Sequence, residues 1–509
     1  MLMYIPLGFL FICLLVTIFR ILGRIWWTPM HVQYQMRSQG INGPSYEFLH
    51  GNTKEISEMR RNCTSQAMDD LSHDIFPRIL PHIHSWRNSY GANFLNWIGP
   101  KAQLVITELD HIKDILNNKD DNFPKIDREG YSKKLLGDGL PASKGEKWAN
   151  MRKLASHAFH AESLKNMIPE MITSVETMLE KWKDFDEKEV EVFQDVRILT
   201  SDIISRTAFG SNYLEGKEIF EMLSKLVLIV GRNAHTIRVP GISRFWRTED
   251  EIESNKLEEG IKDSIIQIIK KRQQAEHEER VDKMDFLGKL LEAHDGTDKR
   301  NKILLQDVVD ECKTFYFAGH ETTTSFLGWT ILLLAIHGDW QARVRKEVKA
   351  LIGQEHPNAH SLSRMKILNM ILEESLRLYP PVPAIRRKVT KQVQLKKLVL
   401  PPHLELCISP LELHHDPKIW GEDVLFFKPE RFDGGVVKAT NNNPLSFLPF
   451  GFGPRTCVGL NFAITEAKIA VSMILQRYMF TLSPGYIHSP VHPFTLRPQH
   501  GIQVILYKV

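Results

Sequence analysis

A cysteine loop near the C-terminal end of the sequence carries the strongest chemical signal. Its sequence, GFGPRTCVG, places Cys457 two residues after Arg455 and among three glycines. A glycine turn followed by a helix suits either phosphate binding or presentation of a reactive thiolate. Dinucleotide binding needs a third glycine where this sequence has Thr456, and an acidic residue about twenty positions later. No Asp or Glu follows Glu466, so the cysteine interpretation is favoured.

The position of Cys457 predicts a stabilised thiolate. A helix is predicted to begin near Leu460, and both the helix dipole and the backbone N–H groups at its start stabilise an anion there. Arg455 adds a positive charge that can meet an anionic ligand group. By contrast, Cys63 and Cys407 stand in no such pattern and are expected to be small, inert, hydrophobic side chains.

A second chemical pattern, FAGHETTTSF, lies inside a long predicted helix. Gly319 costs about 1 kcal/mol relative to alanine in a helix interior, so it indicates the close approach of another group. Thr322 can bend the helix by bonding back to a carbonyl, and Glu321 can carry a proton. Taken alone, the stretch would favour a helix crossing that glycine permits.

Two further segments place functional side chains on one helical face. In LEESLRLYPPVP, Glu374 and Arg377 are spaced i, i+3 ahead of two prolines that end the helix. In GEKWANMRK, Trp148 and Arg152 are four residues apart. Each spacing predicts that the two side chains of the pair lie side by side.

These motifs resemble those of the cytochrome P-450 family. FGFGPRTCVG matches every fixed position of the haem-binding signature FxxGxRxCxG, and the four motifs occur in the family's order. The resemblance implies heme b (iron protoporphyrin IX) with Cys457 as the axial metal ligand. The resemblance further places Phe450 and Arg455 at the haem, and Trp148 and Arg152 at its propionates.

The resemblance also assigns the other motif residues. Thr322 and Glu321 take part in oxygen activation and proton delivery. Glu374 and Arg377 join the arginine of a PERF segment, Arg431, in a buried scaffold network that takes no part in the chemistry. Either Arg386 or Arg387 is expected to supply another propionate contact, and the sequence does not choose between them.

The N-terminal residues predict a membrane anchor. The first nineteen carry no charge, and as a helix they would reach roughly 28 Å, close to a bilayer core of about 30 Å. Arg20 and Arg24 follow this apolar run, which favours an uncleaved anchor with the rest of the chain in the cytosol. We expect an anchor at 1–27, a hinge at 28–46 and a catalytic domain at 47–509.

Composition and periodicity define the rest of the architecture. The 509 residues carry a net charge of only +4, so no nucleic-acid partner is expected, and five scattered cysteines argue for a reducing compartment. Helical periodicity dominates, and strand-like segments are few: AQLVITE, VQLKKLVLP and GIQVILYKV. We therefore expect a mainly α protein with a smaller β portion, forming a single large haem-binding domain.

The resemblance implies a haem-thiolate monooxygenase that inserts one oxygen atom of O₂ into a lipophilic substrate. Electrons would come from NADPH through NADPH-cytochrome P-450 reductase in the endoplasmic reticulum membrane, with Lys438, Lys468 and Arg455 as candidate docking residues. Segments such as SRTAFGS and LHHDPKIWG resemble the plant clan that modifies steroids, gibberellin-type diterpenoids and other terpenoids. Two alternatives stay open: a haem-thiolate isomerase or lyase acting on peroxides, and a non-catalytic haem carrier or sensor.

Overall fold

Helices make up most of the structure, as the sequence predicts. The computed structural model describes residues 4–118, 121–234, 236, 248–277, 285–296 and 302–509. The α-helices of these residues are Tyr4–Leu22 (α1), Thr28–Arg37 (α2), Thr53–Thr64 (α3), Phe76–Ile79 (α4), Pro81–Tyr90 (α5), Leu109–Asn117 (α6), Gly130–Leu136 (α7), Gly145–Ala158 (α8), Ala161–Trp182 (α9), Val192–Phe209 (α10), Tyr213–Asn233 (α11), Glu249–His277 (α12), Phe286–Asp295 (α13), Leu305–Ile336 (α14), Gly338–Ile352 (α15), Ala359–Arg364 (α16), Lys366–Leu378 (α17), Pro410–His414 (α18), Pro417–Trp420 (α19), Gly435–Ala439 (α20) and Leu460–Arg477 (α21).

The β portion consists of short strands at the edge of the helical body. The strands are Phe94–Ile98 (β1), Lys101–Val105 (β2), Glu189–Glu191 (β3), Ile385–Lys388 (β4), Val393–Leu395 (β5), Leu398–Leu400 (β6), Glu405–Ile408 (β7), Tyr478–Leu482 (β8), Pro490–Val491 (β9), Arg497–Pro498 (β10) and Gln503–Lys508 (β11). They form a four-stranded sheet in the order β1-β2-β7-β4, a three-stranded sheet in the order β3-β11-β8, and the pairs β5-β6 and β9-β10. The three strand-like sequences fall on β2, on the β5-β6 pair and on β11.

The central helix is α14, which carries the FAGHETTTSF motif. Apolar side chains surround it on all sides, as expected of a helix that crosses the middle of a core. Ala318, Gly319 and Thr322 interrupt this burial because they are partly exposed. Their spacing of i, i+1 and i+4 places them on one face, so α14 borders internal space there.

Gly319 lets helix α10 pack closely against α14. A Cβ atom at this position would lie 2.7 Å from the side chain of Ile204 on α10. The group that approaches Gly319 is therefore an aliphatic side chain of a neighbouring helix.

The N-terminal segment is a long helix. After α1, a single π-helical turn, Gly23–Trp27, leads directly into α2. Residues Phe11–Arg37 form a helix long and apolar enough to cross a membrane, and its apolar window is not buried in the protein. The helix therefore continues through residues 28–37, which are the first ten residues of the expected hinge. Within them, Val32 and Met36 are buried in the core beside the four-stranded sheet, so residues 28–37 pack as part of the folded body.

Candidate functional site

The loop that presents Cys457 is closed by its own backbone. The N–H of Cys457 donates to the carbonyl of Phe450 at 2.9 Å. Gly451 and Gly453 have φ angles of +73° and +74°, in the left-handed region that favours glycine. At Gly453, a Cβ atom would also lie 2.7 Å from the carbonyl oxygen of Leu116 on α6. The loop therefore has a fixed shape that glycine alone permits.

Cys457 lies in an enclosed but accessible position. Its side chain has exposed surface, although protein surrounds the thiol and this burial raises the pKa of the thiol. The backbone N–H of Gly459 and the charges of Arg152 and Lys125 oppose that rise. The thiol thus faces internal space. The stabilised thiolate that the sequence predicts at Cys457 stays a prediction.

Helix α8 brings Trp148 and Arg152 to the cysteine loop. The guanidinium of Arg455 lies over the Trp148 ring, 4.1 Å from its centroid, and donates to the carbonyl of Ser143 at 2.9 Å. Arg152 donates to the carbonyl of Thr456 at 2.5 Å. The i, i+4 spacing in GEKWANMRK therefore brings both side chains to the loop that carries Cys457.

Three more cations belong to the same cluster: Lys125, Arg128 and Arg387. Burial lowers the pKa of Lys125 well below its usual value, and the charges of Arg387, Arg128 and Arg455 lower it further. Burial also lowers the pKa of Arg128 and of Arg387 to about 10. Within the described part of the chain, no carboxylate pairs with any of these three groups. We call these three residues, with Arg152 and Arg455, the cation cluster.

The structure places Arg386 and Arg387, between which the sequence does not choose, in different surroundings. Arg387 is 3% exposed. Its charge lowers the pKa of Lys125, and the charge of Arg455 lowers the pKa of Arg387 itself. Arg386, next to it on β4, is exposed on the other side of the strand, as strand alternation requires. Sequence reasoning missed Lys125 and Arg128 because KIDREG looks like any charged loop and carries no spacing signal.

The accessible face of α14 carries Thr322, with Glu321 beside it. The Thr322 hydroxyl donates to the carbonyl of Ala318 at 2.7 Å, the back-bond that the sequence predicts. Glu321 is buried and turns toward the β9-β10 hairpin, where the Thr495 hydroxyl donates to Glu321 Oε1 at 2.6 Å. His320 Nε2 lies 3.6 Å from Glu321 Oε2.

Glu374 and Arg377 form the predicted scaffold network with Arg431. Arg377 Nε and Nη2 donate to the two carboxylate oxygens of Glu374 at 2.7 and 2.8 Å, and neither side chain is exposed. Arg431 approaches the same carboxylate at 3.5 Å. The network reaches the cysteine segment through His414, whose carbonyl accepts from Arg377 and whose Nε2 accepts from the N–H of Leu448.

The candidate docking residues are not equivalent. Lys438 is exposed. Lys468 donates to the carbonyl of Leu362 and is half-buried, and Arg455 belongs to the cation cluster. The sequence also predicts that two segments with apolar patches, 122–140 and 209–245, shape the substrate pocket. The first is described, whereas residues 235 and 237–245 of the second lie outside the described residues.

The residues at this site fit a haem. Cys457 offers a sulfur donor toward internal space, and a Cβ atom at Gly459 would stand 3.9 Å from that sulfur, beside the thiol. The cation cluster carries positive charges that two propionate groups could neutralise. Haem, which combines a metal with carboxylates, would satisfy both features.

Comparison with known proteins finds members of one family that match this chain over nearly its whole length. Residues 77–506 match the family Cytochrome P450. Cytochrome P450 CYP749A22 of Panax ginseng is 56% identical over 503 residues, covering 98% of this chain and 96% of that protein. Echinocystic acid 23-monooxygenase of Saponaria officinalis is 39% identical, covering 94% of each.

A solved structure shows the same fold. Retinoic acid bound cyanobacterial CYP120A1 superimposes with a TM-score of 0.77 at 26% identity, covering 92% of this chain and 99% of that one. The mainly α architecture with small sheets is therefore confirmed as the P450 fold. With the family match and the plant relatives, this agreement shows that the chain belongs to the cytochrome P450 family of monooxygenases.

Proposed function

We propose that this protein is a membrane-anchored haem-thiolate monooxygenase that hydroxylates a lipophilic small molecule of the terpenoid, steroid or hormone-like kind. The observation that carries the proposal is the accessible Cys457 thiol beside the cation cluster, in which Lys125, Arg128 and Arg387 have no carboxylate partner among the described residues. Two similar proteins support the substrate class, since one is named for echinocystic acid and the other binds retinoic acid.

In this proposal the cysteine loop and the cation cluster hold the cofactor. Haem with a thiolate ligand supplies oxygen activation. Cys457 provides the thiolate, and Phe450 helps to fix the loop through its carbonyl. Arg152, Arg455 and Arg387 neutralise the propionates together with the other members of the cluster, and Trp148 keeps the Arg455 guanidinium in place by stacking.

In the same proposal, Thr322 and Glu321 transfer protons. The Thr322 hydroxyl gives its own hydrogen to the Ala318 carbonyl, so its oxygen is free to accept a hydrogen bond from a group in the internal space. Glu321 is held by Thr495 and exchanges protons between that hairpin and Thr322.

Electrons come from a partner protein. We infer that NADPH-cytochrome P-450 reductase supplies them in the endoplasmic reticulum membrane, where the N-terminal helix crosses once and leaves the catalytic domain in the cytosol. The apolar course of Phe11–Arg37 and the two arginines that follow the first nineteen residues support this arrangement.

The full-length protein co-expressed with reductase in microsomes tests the proposal. We expect a reduced carbon-monoxide spectrum of the thiolate type, and products that are one oxygen atom heavier than the substrate and appear only with NADPH. A folded protein without the thiolate-type spectrum would refute haem-thiolate binding. Turnover of lipid peroxides without NADPH would indicate the isomerase or lyase instead, and a normal spectrum without turnover across a broad substrate panel would favour a haem carrier.

A further inference from the structure

His320 lies next to Glu321 in the FAGHETTTSF motif and has no part in the proton transfer described so far. Its side chain is buried, with 1% of its surface exposed. The imidazole lies edge-on to the ring of Phe220 on α11, with ring centroids 5.0 Å apart, and edge-on to Phe317 one turn earlier on α14, at 6.4 Å. Packing between these rings holds the imidazole in one orientation, so each ring nitrogen has a defined direction.

The carbonyl of Tyr316 determines which ring nitrogen of His320 carries a hydrogen. Nδ1 lies 3.0 Å from this carbonyl oxygen, which can only accept a hydrogen bond. Nδ1 therefore donates, and in a neutral imidazole Nε2 is left as an acceptor. Burial lowers the pKa of His320 and so favours the neutral form, although the charge of Glu321 opposes this shift. Nε2 is buried, and it has no hydrogen-bond partner among the described residues.

Glu321 presents a carboxylate oxygen to this nitrogen. Glu321 Oε1 accepts from the Thr495 hydroxyl at 2.6 Å, and Oε2 lies 3.6 Å from His320 Nε2. When the imidazole is neutral and the carboxylate is charged, both facing atoms are acceptors, and their lone pairs repel each other in buried surroundings. One proton between them replaces this repulsion with a hydrogen bond. A rotation of the carboxyl group, whose terminal torsion is soft, closes the remaining distance.

No cation takes the place of that proton in the described part of the chain. No lysine or arginine there forms an ion pair with Glu321. Arg197 on α10 and Arg497 on β10 act on the pair from farther away. The charge of Arg197 adds to the lowering of the His320 pKa, and the charge of Glu321 opposes the lowering that burial causes in the Arg497 pKa. His320 is therefore the nearest group that can share a proton with Oε2.

From this geometry we propose that His320 is a positioning residue for proton delivery: its Nε2 and Glu321 Oε2 hold one proton between them, ready for transfer from Glu321. The proposal rests on the monooxygenase function above and adds a partner to its acid. On transfer toward Thr322, the O–H bond at Oε2 breaks and leaves a carboxylate facing the imidazole lone pair. Repulsion between these groups favours uptake of a proton from water, which restores the shared proton, and no electron is transferred.

Infrared spectroscopy of the full-length haem-loaded protein in nanodiscs tests this pair without turnover. The bands of the Glu321 carboxyl group are those that are missing from Glu321→Gln. We expect them to shift when water is replaced by heavy water, because the carboxyl group shares an exchangeable proton. They should also shift in His320→Phe, which keeps a ring without nitrogen, and in His320→Gln, whose amide replaces the proton-accepting nitrogen.

Turnover with reductase gives a second measurement on the same variants. Product formed per NADPH consumed should fall by about 10-fold or more in His320→Phe and in His320→Gln, because neither side chain exchanges a proton with Glu321. Substrate affinity should stay near the wild-type value, since His320 acts through Glu321. Thr324→Val is the matched control. It removes a buried hydroxyl one turn later on α14, which donates to the His320 carbonyl at 2.8 Å, and it keeps the imidazole. This variant should keep the wild-type bands and yield.

The proposal is overturned if the Glu321 bands are the same in wild type and in both His320 variants, or if both variants keep the wild-type yield. An equal loss of yield in Thr324→Val would also overturn it, because the effect would then arise from packing around α14 and not from the imidazole. Each of these results is obtained with a wild-type protein that shows the thiolate-type spectrum. Failure of the monooxygenase proposal is distinguishable, since that spectrum would then be missing.

Discussion

At the scale of single residues, the same side-chain types take on different tasks according to their neighbours. Arg377 is fully buried and bonded to Glu374 through two nitrogens, so its charge serves the scaffold. Arg387 is buried without a carboxylate among the described residues, so its charge is available to a ligand. Arg386, next to Arg387 on β4, is exposed. The role of each arginine is therefore set by its burial and by whether it pairs with a carboxylate, more than by its residue type.

Replacement of Arg377 should disrupt the scaffold. Arg377→Ala leaves the buried Glu374 carboxylate with the N–H of Lys428 and with Arg431, 3.5 Å away, as its nearest charged partner. We expect this loss to cost about 3 to 5 kcal/mol in free energy of unfolding. Haem content per protein and the thermal unfolding midpoint measure the effect. Lys165→Ala is the control, since it removes an exposed i, i+3 pair with Glu162 and should cost less than about 1 kcal/mol. Normal haem content in Arg377→Ala would contradict the assignment.

Replacement of Thr322 should separate binding from chemistry. Thr322→Ala removes the hydroxyl on the accessible face of α14, and loss of a proton-transfer group typically lowers a rate by about 10²-fold or more. Product formed per NADPH consumed should fall, while substrate affinity stays near the wild-type value. Thr322→Ser keeps the hydroxyl and should recover much of the yield. Equal yields in Thr322→Ala and wild type would argue against a role in proton delivery.

At the scale of elements, the cysteine loop depends on glycines for two different reasons. Gly451 and Gly453 both have positive φ angles. A Cβ atom at Gly451 would meet nothing within 4 Å, whereas at Gly453 it would collide with the backbone of α6. The first glycine satisfies a turn, and the second also allows the loop to pack on a helix.

These two glycines give a matched pair of variants. Gly451→Ala should cost about 1 to 2 kcal/mol, because its only penalty is the left-handed conformation. Gly453→Ala should cost more, since the carbonyl of Leu116 would have to move and the loop would shift with it. Thermal unfolding and the haem-to-protein ratio report both effects. Equal losses in the two variants would show that contact with α6 does not position the loop.

At the scale of the whole molecule, buried histidines link stability to pH. Burial lowers the pKa of His73 and His415 to about 3 and that of His488 to about 4. Below about pH 6.5 the unfolded chain therefore binds protons that the folded chain does not, and the free energy of unfolding falls as the pH falls. Buried Glu311 and Glu412 act in the opposite sense from about pH 4.5 upward, because burial raises their pKa to about 8 and about 7.

Replacement of one buried histidine measures how much such a histidine contributes to the pH dependence of stability. His415→Gln removes a group whose folded pKa lies far below 6.5, so stability should fall less steeply between pH 6.5 and 4.5, by up to about 1.4 kcal/mol per pH unit. His360→Gln replaces an exposed histidine and should leave the slope unchanged. Denaturant unfolding at several pH values gives both slopes. Parallel curves for His415→Gln and wild type would exclude this explanation.

The N-terminal helix joins the membrane and the folded body. A chain without residues 1–22 should lose membrane attachment and keep its stability, because α2 still packs on the sheet. A chain without residues 1–37 also loses buried Val32 and Met36, at about 1.5 to 3 kcal/mol each. Membrane flotation and thermal unfolding of the two truncated chains test this difference. Equal stability would place the boundary of the folded body after residue 37.

The sequence by itself determined the features that depend on neighbours along the chain. The cysteine loop, the back-bonding Thr322, the Glu374–Arg377 pair and the Trp148–Arg152 face all follow from turn preferences and helical spacing, which act over a few residues. The family and the mainly α fold followed from these motifs in order.

Only the tertiary structure decided what depends on distant segments. It added Lys125 and Arg128 to the cation cluster, selected Arg387 over Arg386 for that cluster, and brought Thr495 to Glu321. It also showed that burial raises the pKa of the Cys457 thiol despite the helix start beside it. Desolvation and charge pairing arise where remote parts of the chain enclose a group, and no local spacing encodes that enclosure.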